Sequence, residues 1–324
     1  MSTPVTVDVP TEKWTGKVRE VTLGATAETG GTRTKTVTVG GESTLPFLTA
    51  EGEMPNPPAI AFEVQDRYPD DWSELLLDVW GDALRDPAQW AQKAEEYGAD
   101  IIALKLQSAH TEGDNTDAAH AVETAKAVLG ATGLPLIVYG PGQPEKDNEV
   151  LVAVAEAAKG ERIAIGNCEE KNYRTMVAAA LAHDQLVVAK TPIDVNLAKQ
   201  LNILISDMRL DLDRVLMDST TGALGYGLEY SYSVMERLRL AALTGDSMTQ
   251  QPIVSTVGEE AWRAKEGKVN VGVPEAWGDW AKRSTNWEAI TACTLIQSGA
   301  DIVVLRHPDS IKLVKQTIAE LMAQ

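Results

Sequence analysis

Polar and charged residues stand one after another at the ends of short apolar runs: Glu63 and Asp66, Gln107 and Ser108, Asn167, Lys190, Asp218, Thr256, and Arg306 with His307. That mixture of acids, amides and cations suits the binding of a polar ligand, and it contains no evident nucleophile–base pair. Asn167 and Asp218 together match the amide edge of a pterin-like ring, because a carboxylate accepts from ring N–H groups while an amide both donates and accepts. Lys190 closes the run Leu186-Val187-Val188-Ala189. A desolvated lysine there suits Schiff-base chemistry, and the competing reading is an ion pair with a neighbouring acid.

Two further segments carry candidate chemistry. Asp218-Ser219-Thr220-Thr221-Gly222-Ala223-Leu224-Gly225-Tyr226-Gly227 is rich in glycine and hydroxyls and leads into a helix start, where backbone can approach a ligand closely. Its glycine spacing fits neither a dinucleotide fold nor a P-loop, and a plain strand-to-helix turn is the alternative. Ser108-Ala109-His110-Thr111-Glu112-Gly113 copies the Asp-x-His-x-x-Gly pattern of histidine-ligated cobalamin domains except for its acid. Without that carboxylate nothing orients the imidazole, so His110 is not expected to ligate cobalt.

Composition narrows the classes. The 324 residues carry 29 Lys and Arg against 47 Asp and Glu, a formal charge of −18 that repels nucleic acid and anionic lipid alike. No apolar run approaches the roughly 20 residues of a spanning helix, and the first residues hold no apolar leader, so a cytoplasmic protein is expected. Cys168 and Cys293 supply neither a disulfide framework nor the thiolates of an iron–sulfur cluster. The four histidines show no metal-ligand spacing.

The elements that must position these residues follow from periodicity. Eight β-branched runs, at 59–64, 101–106, 134–139, 162–166, 186–189, 214–217, 253–257 and 302–305, alternate with amphipathic segments of helix length. This alternation predicts a closed (β/α)8 TIM barrel over residues 58–324, with the polar residues above at the strand ends, where such barrels keep their chemistry. Residues 1–57 read as a β-hairpin extension, with alternating stretches at 17–23 and 32–39 about a Gly30-Gly31 turn, capping one barrel end. Trp72, Trp80 and Trp90 follow the first barrel strand, and Trp262, Trp277, Trp280 and Trp287 follow the seventh. Aromatic-rich loops on the rim point to a protein partner or a large planar ligand, or else to insertions packing on their own barrel.

Long stretches are specific enough to compare with a family. They are Gly40-Gly41-Glu42-Ser43-Thr44-Leu45-Pro46-Phe47, Glu51-Gly52-Glu53-Met54-Pro55-Asn56-Pro57-Pro58, Pro192-Ile193-Asp194-Val195-Asn196-Leu197-Ala198-Lys199-Gln200-Leu201-Asn202, and the turn running on from Thr220 through Tyr226 to Ser233. These resemble the small (delta) subunits of corrinoid iron–sulfur proteins, over nearly the whole chain. The resemblance implies one half of a heterodimeric methyl carrier of the reductive acetyl-CoA (Wood–Ljungdahl) pathway, with no enzyme activity of its own. It implies a large (gamma) subunit holding the iron–sulfur cluster, and a corrinoid (cobalamin) shared at the interface. A methyltetrahydrofolate:corrinoid methyltransferase would supply the methyl group and acetyl-CoA synthase would receive it. On that reading the cofactor-facing candidates are Asn167, Asp218, Thr220, Thr221, Gly222, Gly225 and Tyr226, with no metal ligand from this chain. The alternatives are a free-standing pterin-dependent methyltransferase and a Schiff-base aldolase using Lys190.

Overall fold

The computed structural model describes residues 10–323; the start of the chain, read above as lacking a leader, lies outside them. Two short antiparallel strands, β1 (Val21–Leu23) and β2 (Val37–Val39), precede a closed barrel of eight parallel strands. These are β3 (Ala59–Gln65), β4 (Ile101–Lys105), β5 (Leu136–Tyr139), β6 (Ala164–Cys168), β7 (Leu186–Lys190), β8 (Val215–Asp218), β9 (Ile253–Ser255) and β10 (Ala300–Leu305), with β10 pairing back onto β3. The eight expected strands are the eight found. Strands buried on both faces show as continuous apolar runs, which is why they could be counted.

Helices α2 (Pro87–Glu96), α3 (Ala118–Ala131), α4 (Pro144–Ala157), α5 (Tyr173–His183), α6 (Val195–Asp207), α7 (Leu228–Leu243), α10 (Trp280–Ser298) and α11 (Pro308–Met322) form the outer ring; three short insertions stand apart from it: α1 (Glu74–Trp80), α8 (Val257–Arg263) and α9 (Lys265–Lys268). Helix starts are built as their sequences suggest. Asp86 accepts from the Ala88 amide with Pro87 in the first turn, and Asp194 accepts from the Asn196 and Leu197 amides.

The apolar residues divide into two bodies. One joins the outward faces of the strands to the helices. The other fills the barrel axis, where Ala61, Ala103, Ile137, Val188, Leu216 and Val304 point inward, and Val21, Leu23 and Val39 of the hairpin belong to it. The hairpin plugs the end where the strands begin. Buried Arg33 locks it there, with Nε 2.9 Å from Glu161 Oε2 and its other nitrogens donating to the Leu129, Thr132 and Leu134 carbonyls.

The tryptophans report a difference from the rim-contact reading. Trp80 and Trp90 are fully buried and Trp72 nearly so, packed edge to face or tilted against Phe62, Tyr97 and one another at centroid distances of 4.9–5.8 Å. Helix α1 folds the first insertion back onto the barrel, so its aromatics are core. Trp262 is also buried, stacked on His307 at 5.7 Å. Trp277, Trp280 and Trp287 are half-buried, and the indoles of Trp280 and Trp287 donate to the carbonyls of Gly267 and Leu224.

Candidate functional site

Alternation along each strand decides which side chains reach the open mouth. Continuing the inward series of the axis core, the top layer is Glu63, Lys105, Tyr139, Lys190, Asp218 and Arg306. The two halves of that layer differ.

On the side of β10, β3 and β4 the charges satisfy one another. Arg306 binds Glu63 through two nitrogens, Nε at 3.0 Å and Nη2 at 2.7 Å, and Lys105 Nζ lies 3.3 Å from Glu63 and 2.5 Å from Glu259. Gln65 donates to Glu63 at 2.8 Å. Burial opposes ionisation of Glu63, but the Arg306 and Lys105 charges outweigh it and hold its carboxyl below the usual carboxylate range. Beside Lys105, the Glu259 carboxyl is drawn down to about 2. Beneath this cluster Glu288, fully buried, accepts from the backbone amides of Arg306 and His307, and burial raises its pKa.

On the side of β5 to β8 the polar atoms are left over. Tyr139 Oη, Asn167 Oδ1 and Asp218 Oδ2 are each buried without a partner among the described residues. Burial pushes the Asp218 carboxyl up, with Lys190 opposing it, and burial together with the Asp218 charge raises the Tyr139 phenol. Lys190 and Asp218 are register partners on β7 and β8. The tyrosine ring fits because Gly166 lies under it: a Cβ there would meet Tyr139 ring carbons at 3.2 Å and Val188 at 3.0 Å. The pairing of β6 with β7 slips between Ile165 and Cys168, and such an irregularity re-aims side chains. Asn167 lines, with Tyr139, Gln107, Lys190 and Thr256 and with Lys105 and Glu259 of the ion cluster, a recess of about 110 Å³ where the two halves meet.

The remaining candidates separate into turn builders and exposed groups. Thr220 has φ +62°, its amide donates to Asp218 Oδ1 at 2.8 Å, and its hydroxyl donates to the Thr191 carbonyl. Thr221 accepts from the Thr256 amide at 3.0 Å. Gly222 faces its own turn, since a Cβ would sit 2.5 Å from the Gly227 backbone, and its amide donates to Ser231 Oγ. Gly225 and Tyr226 are exposed, Tyr226 accepting from the Lys265 amide at 3.3 Å. Thr220 also borders an apolar groove of about 630 Å³ with Pro192, Ile193, Leu197 and Leu201.

His110 accepts from the Glu112 amide through Nδ1, a local turn contact, and among the described residues no three His, Cys, Asp or Glu are grouped to hold a metal. No helix among them is long and apolar enough to cross a membrane. Reading the strand ends missed Lys105, Tyr139 and Glu259. Tyr139 and Lys105 stand at inward register positions inside or just beyond apolar runs, and Gly140-Pro141-Gly142 directly after Tyr139 is the available signal that its strand ends there.

Comparison with known proteins gives a consistent picture. Residues 20–319 match the family described as CO dehydrogenase/acetyl-CoA synthase delta subunit. The chain is 39% identical over 316 residues to the acetyl-CoA decarbonylase/synthase complex subunit delta of Archaeoglobus fulgidus, covering 96% of this chain and 70% of that one. It is 39% identical to the subunit of the same description from Methanopyrus kandleri, covering 95% and 76%. Among solved structures it is similar to dihydropteroate synthases of Xanthomonas albilineans (TM-score 0.57, 14% identity, 86% of this chain and 97% of that one) and Coxiella burnetii (TM-score 0.56, 11% identity, 86% and 99%). At such identities the likeness is one of barrel fold.

Proposed function

The chain belongs to the CO dehydrogenase/acetyl-CoA synthase delta subunit family, and from that premise we propose that it is the small subunit of a two-subunit corrinoid methyl carrier. Its partners would be a large subunit bearing the iron–sulfur cluster, a methyltetrahydrofolate:corrinoid methyltransferase and acetyl-CoA synthase, all in the cytoplasm. The observation that carries the reading is the divided mouth. One half is a closed ion cluster with no group free for chemistry, while the other keeps buried acceptors and a phenol for a ligand arriving from above.

These residues fit a corrinoid held mainly by the partner. When bound, the corrinoid supplies the cobalt that carries the methyl group. Asn167, Asp218 and Tyr139 would hold it by hydrogen bonds, and the turn 220–226, with Gly225 and Tyr226 exposed, would help to exclude water from it. The cluster of Glu63, Lys105, Glu259 and Arg306 keeps the other half of the mouth rigid and electrically quiet. Nothing in this assignment asks the chain for a nucleophile or a cobalt ligand.

The test is co-expression with a large subunit and purification through a tag on this chain. Cobalt and iron should accompany the heterodimer and be absent from the chain expressed alone. Stoichiometric cobalt or iron in the single chain defeats the reading.

The same orphaned Asn167 and Asp218 atoms favour a second reading, a pterin-dependent methyltransferase acting without a partner. Binding of methyltetrahydrofolate by the isolated chain, abolished by Asn167→Ala, would favour it.

A further inference from the structure

Acids outnumber bases by 47 to 29 along the chain, yet one cleft at the barrel mouth reverses the balance. It measures about 580 Å³ and lies over the closed half, between the segments that follow β3, β4 and β9 and the end of β10. Arg67, Lys105, Arg263, Lys268 and Arg306 line it, against Asp71, Glu112 and Glu259. Such a local excess draws anions to a surface that elsewhere repels them.

The floor of the cleft contributes no net charge, because Arg306 and Lys105 are matched by Glu63 and Glu259 at 2.5–3.3 Å. The walls decide the sign. Arg263 is exposed and lies 2.9 Å from Glu260. Arg67 and Lys268 stand in no ion pair among the described residues, and the half-buried Arg67 side chain makes no hydrogen bond among them either. Asp71 and Glu112 are exposed and pair with none of these cations, so they border the cleft without neutralising it.

A guanidinium holds five donors in a fixed fork, and one left unused but open to a cleft suits an oxyanion. Gly113 keeps it open: a Cβ there would stand 3.4 Å from Arg67 Nη1. Neutral donors line the same cleft. His110 Nδ1 accepts from the Glu112 amide at 3.2 Å, which leaves the proton of the neutral ring on Nε2, and the Gln107 amide has no hydrogen bond among the described residues. The volume exceeds that of one ion and falls within the range of small-molecule sites, about 300–1,000 Å³.

We propose that this cleft binds a small molecule through a single phosphate or carboxylate group, held by the Arg67 guanidinium with Lys268 and Arg263 beside it. Asp71 and Glu112 repel further negative charge, so the ligand carries one such group and not a run of them.

The test is titration calorimetry on this chain alone at low ionic strength, with phenyl phosphate and benzoate as probes. At least one should bind saturably, and the tighter of the two identifies the head group. Arg67→Gln, checked for folding by circular dichroism, should weaken binding by about tenfold or more, the loss of hydrogen bonds to a charged group. Lys268→Gln, on exposed backbone, should weaken it by a smaller factor. Arg174→Gln makes the same charge change across the barrel on α5 and should leave binding unchanged. If neither probe saturates, or if Arg174→Gln weakens binding as much as Arg67→Gln does, the site is wrong. Tripolyphosphate binding far more tightly than phenyl phosphate would make the cleft an open polyanion patch and also overturn the proposal. So would loss of large-subunit binding in Arg67→Gln with neither probe bound, which would make it a protein contact. Each outcome leaves the corrinoid reading standing or falling on its own cobalt and iron measurement.

Discussion

Arg306 and Glu63 meet where the last barrel strand closes on the first, joined by two hydrogen bonds of 3.0 and 2.7 Å, with the guanidinium carbon 4.5 Å from the centre of the Trp72 ring. Both side chains are buried, so the pair locks the seam at the cost of desolvating two charges. Arg306→Met leaves the Glu63 carboxylate with the Lys105 charge and the Gln65 hydrogen bond. It should destabilise the chain by about 3 kcal/mol, the lower end for a broken buried pair. Arg306→Lys keeps the charge but not the fork, and should fall between wild type and Arg306→Met in urea unfolding.

The two tryptophan groups should separate in the same assay. Trp80→Ala removes a fully buried indole that donates to the Arg306 carbonyl, and should cost about 3–5 kcal/mol. Trp277→Ala should cost less than about 1 kcal/mol, because that ring is half-buried and lies under the Arg283 guanidinium. Equal losses in urea unfolding would contradict this division.

Within the turn 220–226 the expected outcomes also diverge. Gly222→Ala brings a methyl group against the Gly227 backbone and should cost about 1–3 kcal/mol without any ligand present. Tyr226→Ala should hardly move the unfolding midpoint, yet weaken binding of the large subunit by about 1–2 kcal/mol if the turn faces it. Urea unfolding of the two variants reads the first effect, and titration calorimetry against the large subunit reads the second.

At the plugged end of the barrel Glu42 and Asp301 face the single guanidinium of Arg239, and burial with the Asp301 charge raises the Glu42 pKa to about 8. The folded state therefore holds a proton that the unfolded state releases near its ordinary value of 4.5. Stability from this group is full below that value and is lost as pH rises toward 8. Glu42→Gln should flatten the decline in urea midpoint between pH 5 and pH 8.5, values chosen to span about the two pKa limits. A slope unchanged in the variant would show that the carboxyl is not protonated in the fold.

How much of this was legible beforehand depends on the range of the interaction. Strands such as 186–189 declared themselves because burial on both faces demands apolar residues consecutively. Asn167, Lys190 and Asp218 stood out because a polar residue closing such a run must emerge at a barrel mouth. The pairing of Arg306 with Glu63 was not legible, since 243 positions separate them and only barrel closure brings them together. The fate of Trp72, Trp80 and Trp90 was equally hidden: an aromatic insertion has the same composition whether it faces a partner or, through α1, folds onto its own core. Gly222 misled for a local reason, since a glycine needed for a tight turn and one needed for close ligand approach look alike in sequence.

The N-terminal hairpin has a temporal consequence. It is synthesised before the groups that fasten it: the Arg162 carbonyl accepts from the Gly24 amide, Glu161 grips Arg33, and the Gln250 carbonyl accepts from the Arg19 amide. Until those positions exist, β1 and β2 have only each other, and an isolated two-stranded ribbon is marginal in water. This ribbon is thus seated only once strands far along the chain have been made, by long-range closure rather than by local propensity.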